Sequence, residues 1–425
     1  MGDWLRSRLA RIAGPRLAGP LVPVVAVMAA FLAGGVMLLM LGANPIEGYG
    51  ALLDGAFGDA DALADTALKS MPLLLVGIGI CIAFRASVIN IGGEGQMIAG
   101  AIVSTLVALG LPDVPRVLLV PLVLLGGLVG GAIWGAIPGA LKAYSGVNEI
   151  LSTIMLNLVM VQFMNFLLRG PLIDPFELEA GTRIPQTQRL SDNAILPTLI
   201  DGTRLHIGVP VAICAAVAAY LILWRTPTGF RLRAVGYSPE AARAAGINVK
   251  RNITLAMTLS GSLGGIAGAI LVFGSEGQRM VTDGSAAGFT GSAGFNGIVA
   301  ALFGGLHPLW TIPSAMLFGA LLTGATQLQR VLQVPAALAV ALNGVTLAHT
   351  GSRIETGVNQ LMDDTDRMLM GGQVGIQIER LKMEPPSPAR DAQIAELEAQ
   401  QRLVAEGISE MTLEVESVSV GGGTG

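Results

Sequence analysis

The chain has 425 residues, of which 52% are apolar and only 13% charged, with 57 glycines and a mean hydropathy of +0.64. A soluble domain carries about 25% charged residues, so this chain has roughly half the charge that a water-facing surface needs, and one large membrane-embedded body fits better than two or three soluble domains. Collagen, coiled coil, disulfide scaffold and disordered protein are excluded by the same composition. The net charge of −4 is uneven: residues 351–425 hold 13 acidic and 6 basic side chains, residues 1–350 hold 17 and 20. Neither part has the basic excess that a nucleic-acid partner requires. Cys81 and Cys214 lie in apolar runs and read as small core residues, and His206, His307 and His349 lack metal-ligand spacing, so no metal site is expected.

Residues 1–20 carry Arg6, Arg8, Arg11 and Arg16 and precede an apolar run from Leu21 to Gly42. That run is too long for a signal-peptide core and is followed by no small-residue cleavage site, so it reads as an uncleaved first span. Further spans are expected at about 71–84, 95–111, 116–141, 149–169, 206–224, 253–273, 295–306, 308–326 and 335–350. The expected fold is therefore an all-α polytopic bundle of about ten segments, with eight or nine spans plus re-entrant pieces as the alternative. Several segments are short or broken by Gly and Pro, and irregular backbone at membrane depth is tolerated only where protein buries it or it lines a cavity.

Between the second and third runs lies Ser87-Val-Ile-Asn-Ile-Gly-Gly-Glu-Gly-Gln-Met97. Asn90, Glu94 and Gln96 stand among glycines there. An ionised side chain at membrane depth costs about 2.5–3.5 kcal/mol on insertion scales, so Glu94 either faces a cavity or partner or sits in a wet turn at the cytoplasmic end. The fourth run places Gly127, Gly131, Gly135 and Gly139 on one helix face, and Gly261, Gly264, Gly265 and Gly268 suggest a second, as close helix packing in membranes requires. In the fifth, Glu149, Thr153 and Asn157 fall within an 80° arc of a helix, with Ser152 beside them. Such a polar stripe should face the bundle interior, as part of a path or as interhelical hydrogen bonding.

The 225–252 loop carries Arg225, Arg231, Arg233, Arg243, Lys250 and Arg251. With the N-terminus inside and ten spans, the inner connections before residue 351 hold 12 Lys/Arg and the outer ones 8, which places this loop and both termini in the cytoplasm. Within the loop, Ser238 can cap a short helix with Pro239 in its first turn, running over Glu240–Ala245 and ended by Gly246. Residues 351–425 form an acidic tail in which only 391–408 has a weak apolar stripe.

No phosphate-binding G-x-x-x-x-G-K-[ST] loop exists, because none of Lys69, Lys142, Lys250 and Lys382 follows a glycine. No G-x-S-x-G elbow and no H-E-x-x-H pair occurs either, so the sequence supplies no visible catalytic machinery.

Glu240-Ala-Ala-x-x-x-Gly246 resembles the EAA coupling motif of ABC importer permeases. Asn90-Ile-Gly-Gly-Glu-Gly-Gln, Asn148-Glu-Ile-Leu-Ser-Thr-Ile-Met-Leu-Asn and Gly294-Phe-Asn-Gly-Ile-Val-Ala-Ala-Leu are similar to signatures of the nucleoside and simple-sugar branch. The resemblance covers about residues 20–350, with the motifs in the expected order; the tail has no counterpart. It implies an inner-membrane importer half that works with a second permease subunit, identical or not, with cytoplasmic ATPases and with an extracytoplasmic lipoprotein binding protein. ATP is then used by the partner, and this chain carries no cofactor. Glu240, Ala241, Ala242 and Gly246 would engage the ATPase. Asn90, Glu94, Gln96, Glu149, Thr153, Asn157 and Asn296 would line or shape the path of a nucleoside or related small polar solute. Simple sugars or branched-chain amino acids are the alternative cargo. An ion-coupled transporter using Glu94 or Glu149 is the alternative class.

Overall fold

The computed structural model describes residues 42–332, except Asp201 and Glu276, together with most of 32–40. The first expected span lies largely outside the described residues; the last expected span and the acidic tail lie wholly outside them. The described backbone is helical, with two isolated β-bridges and no strand. In chain order the helices are α1 (Pro45–Phe57), α2 (Ala60–Phe84), α3 (Gly93–Gly110), α4 (Arg116–Ser145), α5 (Glu149–Arg169), α6 (Pro175–Ala180), α7 (Gly208–Arg225), α8 (Pro227–Tyr237), α9 (Pro239–Ala244), α10 (Val249–Phe273), α11 (Ala286–Thr290), α12 (Ala293–Phe303) and α13 (Thr311–Leu332).

Six of these, α2, α3, α4, α5, α7 and α10, are long and apolar enough to cross a membrane. The expected second span begins earlier than its apolar run, because Asp59 caps Ala62 N–H at 2.7 Å and the helix continues through Asp61, Asp65 and Lys69. The run expected to span at 295–306 is an 11-residue helix, α12, about 16 Å long and too short to cross. α1 precedes the second span and belongs to none of the expected apolar runs. Its signal was present in Asn44, which caps Ile46 N–H at 3.0 Å, followed by Pro45 at the first helical position.

α10 packs against α2, α3 and α4, and its contact with α4 is a glycine seam. The glycine face of α4 meets Gly261 and Gly265 of the second expected face, whereas Gly264 and Gly268 lie against α3 at Gln96 and Met97. A methyl group on Gly131 would overlap the Gly261 carbonyl oxygen, and one on Gly265 would overlap the Gly127 carbonyl oxygen. The opposite side of α4 carries an exposed apolar stripe of Leu118, Leu122, Leu125, Val129, Ile133 and Ile137, which suits lipid. Cys81 is buried as expected, whereas Cys214 is exposed on α7. Its apolar run marked a membrane helix without revealing which face the thiol would take.

The long α5–α7 connection is pinned to the α10–α11 connection. Thr187 N–H donates to Met280 O at 3.0 Å, Leu190 N–H donates to Gln278 O at 2.9 Å, and Arg279 pairs with Asp174 at 2.9 Å. Within it, Glu177 accepts hydrogen bonds from the Thr182 hydroxyl, from Gln186 Nε2 at 2.8 Å and from Ile184 N–H at 3.4 Å. These donors, the Thr182 hydroxyl foremost, hold the Glu177 carboxyl below its ordinary value of 4.5.

Two outcomes follow from this packing. Gly131→Val should lower the melting temperature of the detergent-solubilised protein, with overpacking typically costing about 1–3 kcal/mol, while Gly110→Ala, whose added methyl meets nothing within 4 Å, should not. Because the folded pKa of Glu177 is depressed, its contribution is present above the ordinary value and is lost as the pH falls below about 4.5. Amide-exchange protection at Ile184 should therefore drop on acidification through that range, and drop less in Glu177→Gln.

Candidate functional site

The site is built around two helices that start inside the bundle. After α2 ends at Phe84, residues 85–87 turn and residues 88–91 run back without helical bonding. α3 begins beside Val76, with a Cβ on Gly93 lying 3.1 Å from Val76 Cγ1. Val76 is eight residues before the end of α2, so the chain has returned about 12 Å into the bundle before α3 starts. α12 starts at the same place: a Cβ on Gly294 would lie 2.8 Å from the carboxyl carbon of Glu94.

A helix start leaves up to four N–H groups without intrahelical partners, and hydrocarbon offers no water to satisfy them. Ser292, at the N-cap of α12, has φ +60° and makes no side-chain capping bond. Glu94 takes that role from across the bundle, accepting Phe295 N–H at 3.2 Å while the Thr290 hydroxyl donates to its other oxygen. Since Glu94 also lies in the first turn of α3, one carboxylate faces the positive ends of two helix dipoles. For α3, Asn90 Oδ1 accepts Gly92 N–H at 2.9 Å, and Asn157 Oδ1 accepts Gly95 N–H at 2.9 Å.

The remaining amide atoms close the network. Asn90 Nδ2 donates to Ser260 Oγ at 2.7 Å and to Gln96 Oε1 at 3.0 Å, Gln96 Nε2 donates back to Asn90 Oδ1 at 3.1 Å, and Asn157 Nδ2 donates to Ile91 O at 2.9 Å. The structure thus brings Asn90, Glu94, Gln96 and Asn157 together, all buried. Glu94 sits in no wet turn. Glu149 and Thr153 share the buried face of α5 with Asn157 but belong to its end: Glu149 pairs with Lys142 at 2.7 Å, and the Thr153 hydroxyl donates to Glu149 O at 2.6 Å. Of that stripe, Asn157 bonds to the start of α3, whereas Glu149 reaches only the end of α4 through Lys142. Asn296, in the second turn of α12, is half-buried and makes no side-chain hydrogen bond among the described residues. Sequence reasoning missed Ser260 and Thr290, since a lone hydroxyl in a membrane segment carries no signal until its partner is known.

The second element is the 225–252 loop. Ser238 caps α9 by accepting Ala241 N–H at 3.2 Å, with Pro239 at the first helical position as expected. The helix ends one residue earlier than expected, at Ala244, and closes with paired C-terminal bonds. Gly246 N–H donates to Arg243 O at 3.0 Å and Ile247 N–H to Ala242 O at 2.9 Å, with Gly246 at φ +78°. Ala242 is buried against Val235 and Val249, whereas Glu240, Ala241 and Gly246 are exposed. One side of α9 is therefore anchored on α8 and α10 and the other is open.

Residues 62–349 match the family described as the permease component of the branched-chain amino acid transport system. The nucleoside ABC transporter permease protein NupB of Lactococcus lactis subsp. cremoris is 38% identical over 310 residues, covering 72% of this chain and 83% of that protein. The guanosine ABC transporter permease protein NupP of Bacillus subtilis is 34% identical, over 73% and 86%. A glucose ABC transporter permease protein of Haloferax volcanii is 32% identical, over 76% and 85%. No solved structure matches the chain.

Removing the shared cap should be costly. Glu94→Ala leaves buried N–H groups unsatisfied, worth about 1–3 kcal/mol, and should lower the melting temperature in detergent more than Glu94→Gln, which keeps one acceptor. Equal melting of Glu94→Ala and wild type would defeat the capping role.

Proposed function

The chain belongs to the family of permease components of branched-chain amino acid transport systems, a family of multi-pass membrane proteins, and on that premise we propose that it is the permease subunit of an ATP-driven importer of nucleosides. The nucleoside and guanosine permeases among its relatives support the cargo. The glucose relative supports a sugar as the second reading, and the two cargoes share a polyhydroxylated ring.

The observation that carries the mechanism is α9, a closed, anchored helix with an open alanine side. Its exposed Glu240, Ala241 and Gly246 offer a smooth surface to a separate ATPase, and buried Ala242 ties any push on it to α8 and α10. ATP is used on that partner, and this chain contributes no catalytic step and no cofactor. The basic residues of the 225–252 loop support a cytoplasmic position for it and for both termini. A second permease subunit and an extracytoplasmic binding protein complete the assembly.

In this reading the mid-bundle residues do two jobs. Asn90, Glu94, Gln96 and Asn157 shape the path by fixing the two helix starts, and Glu149 and Thr153 fix the inner end of α5. Asn296 is the polar contact left for solute. Glu94 and Glu149 are engaged as a cap and as an ion pair, which weighs against a proton-coupled carrier. ATP drives alternation only through differential binding to the two access states.

Proteoliposomes holding the complex should take up guanosine or adenosine only with ATP inside and binding protein outside. Gly246→Val forces a β-branched residue to φ +78° and should cut uptake more than tenfold while ATP hydrolysis continues. Uptake without the ATPase, or full uptake by this variant, would remove the proposal.

A further inference from the structure

A push on α9 has routes into the bundle along the chain, through α10 and through α8 into α7. A further route is a contact between α8 and the turn after α2. The Ser87 hydroxyl donates to the Gly236 carbonyl oxygen at 2.6 Å, and Gly236 is two residues before Ser238, the cap of α9. The backbones touch there, because a methyl group on Gly236 would overlap the Arg85 carbonyl oxygen. Ser87 has φ +52°, a left-handed conformation that non-glycine residues hold only when their surroundings enforce it.

The same stretch of chain grips α12 at both ends. Arg85 Nη2 donates to Leu306 O at 3.2 Å, just past the C-terminus of α12, and its guanidinium lies 5.1 Å from the Trp224 ring centre. Arg233 of α8 approaches the same indole at 5.9 Å. At the other end Glu94 caps the N-terminus of α12. Between them, residues 87–92 span at most about 17 Å of extended chain, and Val88 and Asn90 are buried.

We infer that residues 85–94 form a bracket that holds α12 at both ends and, through the Ser87–Gly236 contact, makes α12 follow the coupling loop. Ser87 is then a positioning residue: it touches no solute and acts by tying the bracket to α8. The inference rests on the proposed ATP-driven reading and supplies what that reading lacks, a link from α9 to the helix carrying Asn296.

The test uses the full complex in proteoliposomes, with two readouts. The first is guanosine taken up per ATP hydrolysed. The second is the change in distance between spin labels at Leu63 and Phe295, both exposed, when a non-hydrolysable ATP analogue binds. Ser87→Ala should lower uptake per ATP and the shifted population about fivefold, the effect of one ordinary hydrogen bond on an equilibrium. Ser87→Asn tolerates the left-handed backbone and keeps a donor, and should restore both. Gly236→Ala, which separates the backbones, should lower both at least as far as Ser87→Ala. Wild-type values in Ser87→Ala and Gly236→Ala would assign transmission to the chain-linked helices α7 and α10 and overturn the bracket. A wild type that shows the distance change but imports no nucleoside would overturn the cargo reading and leave the bracket standing.

Discussion

Starting a helix inside a membrane-thick bundle raises a problem of unpaired donors. Its first N–H groups point into a region without water, and each one left bare costs a large fraction of a protein's net stability. Here α3 and α12 both begin in that region and abut. The solution is a set of side-chain oxygens: Asn90 and Asn157 serve the start of α3, while Glu94, itself in the first turn of α3, and Thr290 serve the start of α12. This constraint accounts for an acid and two asparagines buried inside the bundle. Asn90, Glu94 and Asn157 each accept a backbone N–H, and Gln96 is held by Asn90.

The glycine seam serves the same end by different means. For Asn90 to reach Ser260, α10 and its neighbours must lie close together. Gly131, Gly261 and Gly265 permit this by leaving no side chain at the contact. Close packing and polar capping therefore depend on each other. A wider seam would strand the amides, and unpaired amides would remove the reason for the irregular segment.

The two ends of the irregular segment link this interior to the 225–252 loop. Residue 85 follows the end of α2 and lies against α8 and Trp224, while residue 94 lies at the start of α12. A permease needs an interior that stays satisfied while it moves. The segment's hydrogen bonds run to Gly236, Ser260, Leu306 and Phe295 on other elements, so its polar groups stay paired only while those partners move with it.

The sequence by itself determined the all-α membrane class, the six long helices among about ten expected spans, the glycine faces and the capped alanine helix with its terminal Gly246. These rest on composition, periodicity and local capping chemistry, which are written in neighbouring residues. It also marked Asn90, Glu94, Gln96 and Asn157 as special, since buried polar groups in apolar runs need partners. Only the tertiary structure decided who those partners are. The oxygen on Glu94 meets Phe295 about 200 positions away, and Asn90 meets Ser260 across 170. The shortness of α12 was hidden for the same reason: an apolar run records what can be buried, whereas the depth at which a helix starts is set by a distant residue able to cap it.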